Sequence, residues 1–331
     1  MKYILNEIPI KTTNSFNINN IKVDINLDNN ISYDEYITNN KDINIKYEKS
    51  NDFNTLLGFN YKKCLKLNID INKEYKEDII FIYNSKDTLI NEININCNNA
   101  KANIIFKYES NNNCILKQNI NLNNSNINIT NINLLDNNKI FILENISNLY
   151  NSILNQNLID IGSNIKIINY KSIINKNSES NINNLYIGCD NNKLDMVFNY
   201  INNNEFAKAN IKSIGILNDK AIKNNKLNIE FKSNAFNSIG KENEDVTILS
   251  DDVTNRSAPI LLCNCDNVIG EHSVSSGMID DKILYYLKSR GISYDNALKL
   301  ILYSKYNKIV SNINNLELEE EIIKYINEKI L

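Results

Sequence analysis

Apolar and polar side chains alternate in short runs from about residue 60 to about residue 270, and this alternation limits the possible folds more than any other feature. Residues 120–134, Ile-Asn-Leu-Asn-Asn-Ser-Asn-Ile-Asn-Ile-Thr-Asn-Ile-Asn-Leu, show it most plainly. Similar runs recur near 78–83, 89–95, 103–108, 139–143, 164–169, 208–216 and 226–231. A period of two sends successive side chains to opposite faces, so each run reads as a strand with one buried face. No helical pattern interrupts the region, which argues against a βαβ sheet. Many short strands fit a sandwich, a barrel or a solenoid, and no strict repeat period separates these three.

About one residue in five is Asn, while the 331-residue chain has only eight glycines and two prolines. Asn tolerates left-handed backbone, so it is expected to make the turns that Gly and Pro would otherwise make. The net charge is −3 and no long basic block occurs, which excludes the electrostatic footprint of a nucleic-acid binder. No apolar run approaches the length of a membrane span, and the first ten residues are too short and interrupted for a signal peptide. The expectation is a cytoplasmic protein with no membrane partner, whose six cysteines are free thiols. Cys64, Cys97, Cys114 and Cys189 are scattered among strand-like residues and read as small core fillers.

The pattern changes near residue 278. Asp280 or Asp281 can cap a helix that runs to Lys288 and is ended by Gly291, and Ser293 can open a second. In that second helix Ala297, Leu298, Ile301, Leu302 and Lys305 follow helical spacing. A last helix is expected from about Leu316 to Leu331, with Leu318, Ile322, Tyr325 and Ile326 on one face. Glu317, Glu319, Glu320 and Glu321 at its start suit the positive end of the helix dipole. Three regions follow: an N-terminal segment over 1–55, a β core over 56–278 and a helical region over 279–331.

The chain has a single histidine, His272, and it lies in the densest local pattern. Cys263, Cys265, Glu271 and His272 fall within ten positions, and thiol, carboxylate and imidazole are all ligand types for iron or zinc. If Cys263 and Cys265 share a strand they face the same side. Against this, a Cys-x-Cys on a strand is also a common pair of small apolar fillers, and Asp266 reads as a turn former. Nothing resembles a Gly-rich phosphate loop followed by Lys, so any ATP hydrolysis belongs to a partner.

Residues 210–310 resemble the SufB/SufD family of iron–sulfur cluster assembly proteins. The resemblance is carried by Ser257-Ala258-Pro259, Glu271-His272, Ser275-Ser276-Gly277-Met278-Ile279-Asp280 and Leu284-Tyr285-Tyr286-Leu287-Lys288-Ser289-Arg290-Gly291-Ile292-Ser293, followed by Asp295 and Ala297. Upstream, Gly215-Ile216-Leu217 and Ile229-Glu230-Phe231 fit the preceding rungs. The resemblance implies a mainly β fold, a right-handed parallel β-helix, with C-terminal helices that dock onto the ABC-type ATPase SufC. It further implies a non-catalytic scaffold that holds a transient iron–sulfur cluster and passes it to acceptor apoproteins. The chain lacks the N-terminal helical region and several cysteines of longer SufB members. It looks most like the short SufB of a minimal SufBC system, pairing with itself as a homodimer at the His-bearing edge.

The resemblance carries over His272 with Glu271 before it and points to Glu244, and with the thiols of the local pattern the cluster-binding candidates are His272, Cys265, Cys263, Glu271 and Glu244, with His272 and Cys265 foremost as metal ligands. Glu244 falls where SufB carries its cluster-forming Cys, and Ser273 replaces the second Glu of the SufB Glu-His-Glu run, so the SufB ligand set does not transfer whole. Tyr285, Tyr286, Leu287 and Arg290 are expected to dock the ATPase, or else to pack as ordinary helix residues. A β-solenoid carbohydrate-binding protein or lyase is the alternative. Such enzymes cluster acids with an Arg or Lys base, and this chain has only two arginines, Arg256 and Arg290.

Overall fold

The computed structural model describes residues 2–5, 21–24, 31–32, 36–38, 44–50, 52–55, 60–61, 64–84 and 87–330. Its body is a parallel β-solenoid of about eight turns, each contributing one strand to each of two sheets. The coil strands are β1 (Cys64–Ile71), β2 (Ile79–Tyr83), β3 (Thr88–Asn98), β4 (Lys101–Tyr108), β5 (Cys114–Asn123), β6 (Asn126–Asn133), β7 (Ile140–Tyr150) and β8 (Ile153–Asp160). They continue as β9 (Ile165–Ile174), β10 (Glu179–Gly188), β11 (Lys193–Asn202), β12 (Lys208–Leu217), β13 (Ile222–Phe231), β14 (Ser238–Ile248), β15 (Thr254–Cys263) and β16 (Val268–Met278). Odd-numbered strands stack in one sheet and even-numbered strands in the other.

Each strand pairs in parallel with the one two places on, so like residues stack from rung to rung. Inside, Phe81 stacks on Phe106 and Tyr83 on Tyr108, each with ring centroids 5.1 Å apart. Outside, Asn119 donates to Asn94 and Asn94 to Asn68, each at 2.8 Å. The abundant Asn thus forms hydrogen-bonded ladders as well as corners. Asn99, Asn124, Asn151, Asn177 and Asn237 all have φ between 47° and 57°, the left-handed corner geometry expected of them. Asn124 breaks the single alternating run of 120–134 into β5 and β6, turning the chain from one sheet to the other.

The rungs are not of equal length, which is why no strict repeat is legible. Stacked partners lie 26 residues apart at Asn68 and Asn94, 29 at Asn199 and Asn228, and 32 at Lys223 and Asn255. Alternation is also blurred in the second half of most even strands, where both faces are buried. The outer face there is covered by helices, and β8, β10, β11 and β14 are absent from the alternating runs picked out above.

Three helices follow the coil: α1 (Asp281–Ser289), α2 (Tyr294–Val310) and α3 (Leu316–Ile330). The Asp280 side chain accepts from the Lys282 N–H and that of Ser293 from the Asn296 N–H, so both expected caps are in place. Leu302, Tyr306 and Ile309 of α2 and Ile322 and Ile326 of α3 pack with Ile132, Ile159, Leu185 and Ile214 on the outer face of the even sheet. At the other end, Asn44–Ser50 runs antiparallel along β1 and Tyr36–Thr38 along β2, covering the first rung. Parts of the expected N-terminal segment 1–55 are therefore sheet, and most of 1–55 lies outside the described residues.

Candidate functional site

β15 and β16 are the last strands of their sheets, and none of the described residues pairs with their outer edges. The register decides which way their side chains point. In β14, Ser238, Gly240, Glu242, Glu244 and Val246 are buried, while Lys241 and Asn243 are exposed. His272 pairs with Glu242 and Val274 with Glu244, so His272 faces the interior of the coil at its open mouth. It is exposed, and among the described residues no further rung lies above it. On the opposite sheet Cys263 pairs with Phe231, an interior residue, so it too faces inward at the mouth, and it is exposed. A Cβ on Gly270 would meet Leu261 Cδ1 at 3.2 Å, so the two sheets approach closely at this corner.

The other candidates are placed differently. β15 ends at Cys263, so Cys265 lies in the connection 264–267 and is buried; the same-face argument for the two thiols therefore lapses. The cause is local: the chain leaves the sheet at Asn264, whose N–H donates to the Phe231 carbonyl. Glu271 points to the opposite face from His272, as strand neighbours do, and pairs with Lys241 at 3.1 Å. The outward side chains Asn210, Lys212, Lys241, Asn243, Glu271 and Ser273 line a shallow groove of about 450 Å³.

Glu244 is fully buried inside the coil. Its Oε1 accepts from Tyr186 Oη at 2.8 Å and Asn225 Nδ2 at 2.7 Å, and pairs with Lys223 Nζ at 2.8 Å. Tyr186 reaches it through the space above Gly215, where a Cβ would sit 2.2 Å from Tyr186 Cζ. Burial pushes the Lys223 amine down, and Glu244 pulls it back up. Lys223 also donates to Asn255 and Ser257 of β15, each at 2.8 Å, so this buried network reaches the last rung.

Glu242, passed over in the sequence, is the more unusual carboxylate. It is 2% exposed, and neither carboxylate oxygen has a hydrogen-bond partner. Burial pushes its carboxyl up to about 8, countered in part by the backbone of Ile229 and Ile260, which falls short of hydrogen-bonding geometry. The signal that would have found it is the local rung offset of 30 residues, seen in Lys241 and Glu271, which stacks Glu242 beneath His272. Lys223, Tyr186 and Asn225 carried no local sequence signal.

Cys64, Cys97, Cys114 and Cys189 are all buried, and burial pushes their thiols up, to about 12 at Cys97, which keeps them protonated and inert. Among the described residues no group of three or more His, Cys, Asp or Glu is gathered to hold a metal within one copy, and no helix is long and apolar enough to cross a membrane. The helical tail presents a different surface. Tyr285 is 75% exposed and Tyr286 55%, with the Arg290 guanidinium 5.3 Å from the Tyr286 ring centroid. Leu287 is half-buried, and Leu284 is the residue of α1 that packs inward.

Fold and site together define a solenoid protein whose last rung, unpaired at its outer edge among the described residues, carries Cys263, Glu271 and His272, and is followed along the chain by a helix with exposed tyrosines. The chain belongs to the SufBD family of iron–sulfur cluster assembly proteins: the family profile described as "SUF system FeS cluster assembly, SufBD core domain" matches residues 81–305. It is 30% identical over 109 residues to the iron–sulfur cluster assembly protein SufD of Bacillus subtilis (strain 168), covering 30% of this chain and 25% of that protein. It is 31% identical over 84 residues to the iron–sulfur cluster assembly SufBD family protein ML0594 of Mycobacterium leprae (strain TN), covering 25% of this chain and 21% of that one. Each match thus spans a quarter or less of the relative's length. The family places the chain within iron–sulfur assembly and does not favour the carbohydrate-lyase alternative.

Proposed function

We propose that this protein is a scaffold subunit on which a transient iron–sulfur cluster is built at the seam between two copies, driven by a SufC-like ABC ATPase that docks on α1 and α2. One observation carries the reading: among the described residues nothing pairs with the outer edge of the last rung, from which His272 and Cys263 face inward at the mouth. The apolar residues Ile269, Val274 and Met278 on that edge are 55%, 39% and 58% exposed. An open strand edge with exposed apolar side chains suits pairing with a second copy.

Imidazole and thiolate are both competent iron ligands, and a scaffold that must release its product gains from incomplete thiolate ligation. Two copies meeting at this edge would bring two imidazoles and two exposed thiols to one seam, with Cys265, buried in the connection 264–267, a further pair. Glu271 and Glu244 are held by Lys241 and Lys223 and stand second to these as ligands.

The tail is tied to the seam by charge. Lys305 of α2 pairs with Asp245 of β14 at 2.8 Å, and Ser275 of β16 donates to the same carboxylate at 3.0 Å. A nucleotide-driven pull on Tyr285, Tyr286, Leu287 and Arg290 would reach β14 and β16 through this bridge and open the edge to iron and sulfide. Completed clusters would pass to acceptor apoproteins.

Co-expression with the cognate ATPase, anaerobic reconstitution and assay of iron and acid-labile sulfide test the proposal. The expected result is a co-purifying ATPase and a loaded cluster, with loading falling at least five-fold in His272→Ala combined with Cys263→Ser and Cys265→Ser. Full loading in that triple variant would refute the site, and no loading in the wild-type complex would refute the function.

A further inference from the structure

Resting on the reading above and taking it further, we propose that Glu242 and His272 together form a binding site for a divalent transition-metal cation, ferrous iron in the assembly reaction, at the mouth of the coil. The two residues are direct register partners on adjacent parallel strands and face the same way. Strand spacing alone holds their backbones about 4.8 Å apart, within the span of two ligands on one ion.

The carboxylate is what asks for an explanation. Glu242 is 2% exposed, and both of its oxygens lack hydrogen-bond partners. Buried polar atoms in native proteins are almost always paired, and a carboxyl group without partners is costly to bury in either protonation state. The two neighbouring glutamates do not share this condition. Glu244, two residues on, is held at Oε1 by Tyr186, Asn225 and Lys223. Glu271 points outward to Lys241. Single oxygens of other buried carboxylates, Glu244 Oε2 among them, also lack a partner, but among the described residues Glu242 is the carboxylate with both oxygens unpaired, and it is stacked beneath the only histidine of the chain.

A cation bridging Glu242 and His272 would satisfy those oxygens and would reach them from the uncovered last rung. One imidazole with one carboxylate is a donor pair suited to ferrous iron, whereas a structural zinc site would call for more thiolate. Two protein ligands per copy leave positions for water, for sulfide or for donors of a second copy. Residence on Glu242 would hold the metal at the seam without a thiolate.

Anaerobic titration of the full-length protein with Co²⁺, followed by its visible d–d absorption, tests the site, with the lone imidazole resonance of His272 as a second readout. Wild-type protein should bind Co²⁺ and shift that resonance. Glu242→Gln and His272→Gln should each weaken binding at least ten-fold, the double variant little more than either alone, and Glu271→Gln less than two-fold. Binding of Co²⁺ to Glu242→Gln with wild-type affinity, or no binding to wild type, would overturn the assignment. Should Glu242→Gln fail to fold, Glu242→Asp keeps the charge on a shorter arm and should still weaken Co²⁺ at least three-fold; unchanged affinity there would likewise overturn it. Failure here leaves cluster loading at His272 and the thiols standing. Co²⁺ binding without any cluster loading in the ATPase complex would instead sink the scaffold reading alone.

Discussion

At the scale of single residues, the mouth of the coil is governed by where charge is buried. Glu242 has its carboxyl pushed up to about 8 by burial, so the folded protein holds a proton that the unfolded chain releases near pH 4.5. Between those values the native state binds more protons, and stability must fall as pH rises. Glu242→Gln should remove that dependence, gaining on the order of a few kcal/mol at pH 8 and little at pH 4, as read by urea unfolding across pH. Lys223 behaves in the opposite sense. Both it and Glu244 are fully buried, so Lys223→Met strands a carboxylate and should destabilise by about 3–5 kcal/mol, whereas Lys223→Met with Glu244→Leu should recover much of that loss.

At the scale of elements, corners and caps decide where strands stop. Asn124 and Asn151 have φ of 48° and 47°, a region that Ala enters at a cost of about 1–2 kcal/mol. Asn151→Ala should therefore lower the unfolding free energy by about that amount, and Asn151→Gly should cost less, measurable by denaturant midpoints. On α1 the balance differs. Tyr285 and Tyr286 are exposed, so Tyr285→Ala with Tyr286→Ala should leave the melting temperature within a degree or two while weakening ATPase co-purification several-fold. A large drop in melting temperature would show these tyrosines to be packing residues instead.

For the whole molecule, the two ends of the solenoid are treated differently. The first rung is covered by antiparallel strands from the N-terminal region, while among the described residues nothing pairs with the outer edge of the last rung, where Ile269 and Met278 are exposed. Charge on an open strand edge opposes edge pairing, so under the proposed self-pairing Ile269→Lys should shift sedimentation toward monomer without unfolding the protein. A monomeric wild type would count against the seam. The helices bind the coil together from outside. Ile322 and Ile326 are buried against the even sheet, and either residue changed to Ala should cost about 2–5 kcal/mol.

The alternation of 120–134, the Asn-rich corners, and the caps Asp280 and Ser293 are local properties, so they were readable from the chain itself. The sequence also shows that His272 and Cys263 belong to the same turn of the chain, although nine residues of extended chain can hold them far apart. What lay beyond reach was set by stacking between rungs. Unequal rungs hid the repeat, and helices covering one sheet erased the alternation in β8 and β10. Only pairing across rungs could place Glu242 under His272 and Lys241 beside Glu271, 30 residues apart, and only the closing of the coil could bury Glu244 against Lys223 of the facing sheet, because such contacts depend on register. The sequence by itself determined strands, turns, caps and the kinds of donor present; the tertiary structure decided which donors face one another, since a parallel coil assigns each side chain's neighbours by the length of every turn beneath it.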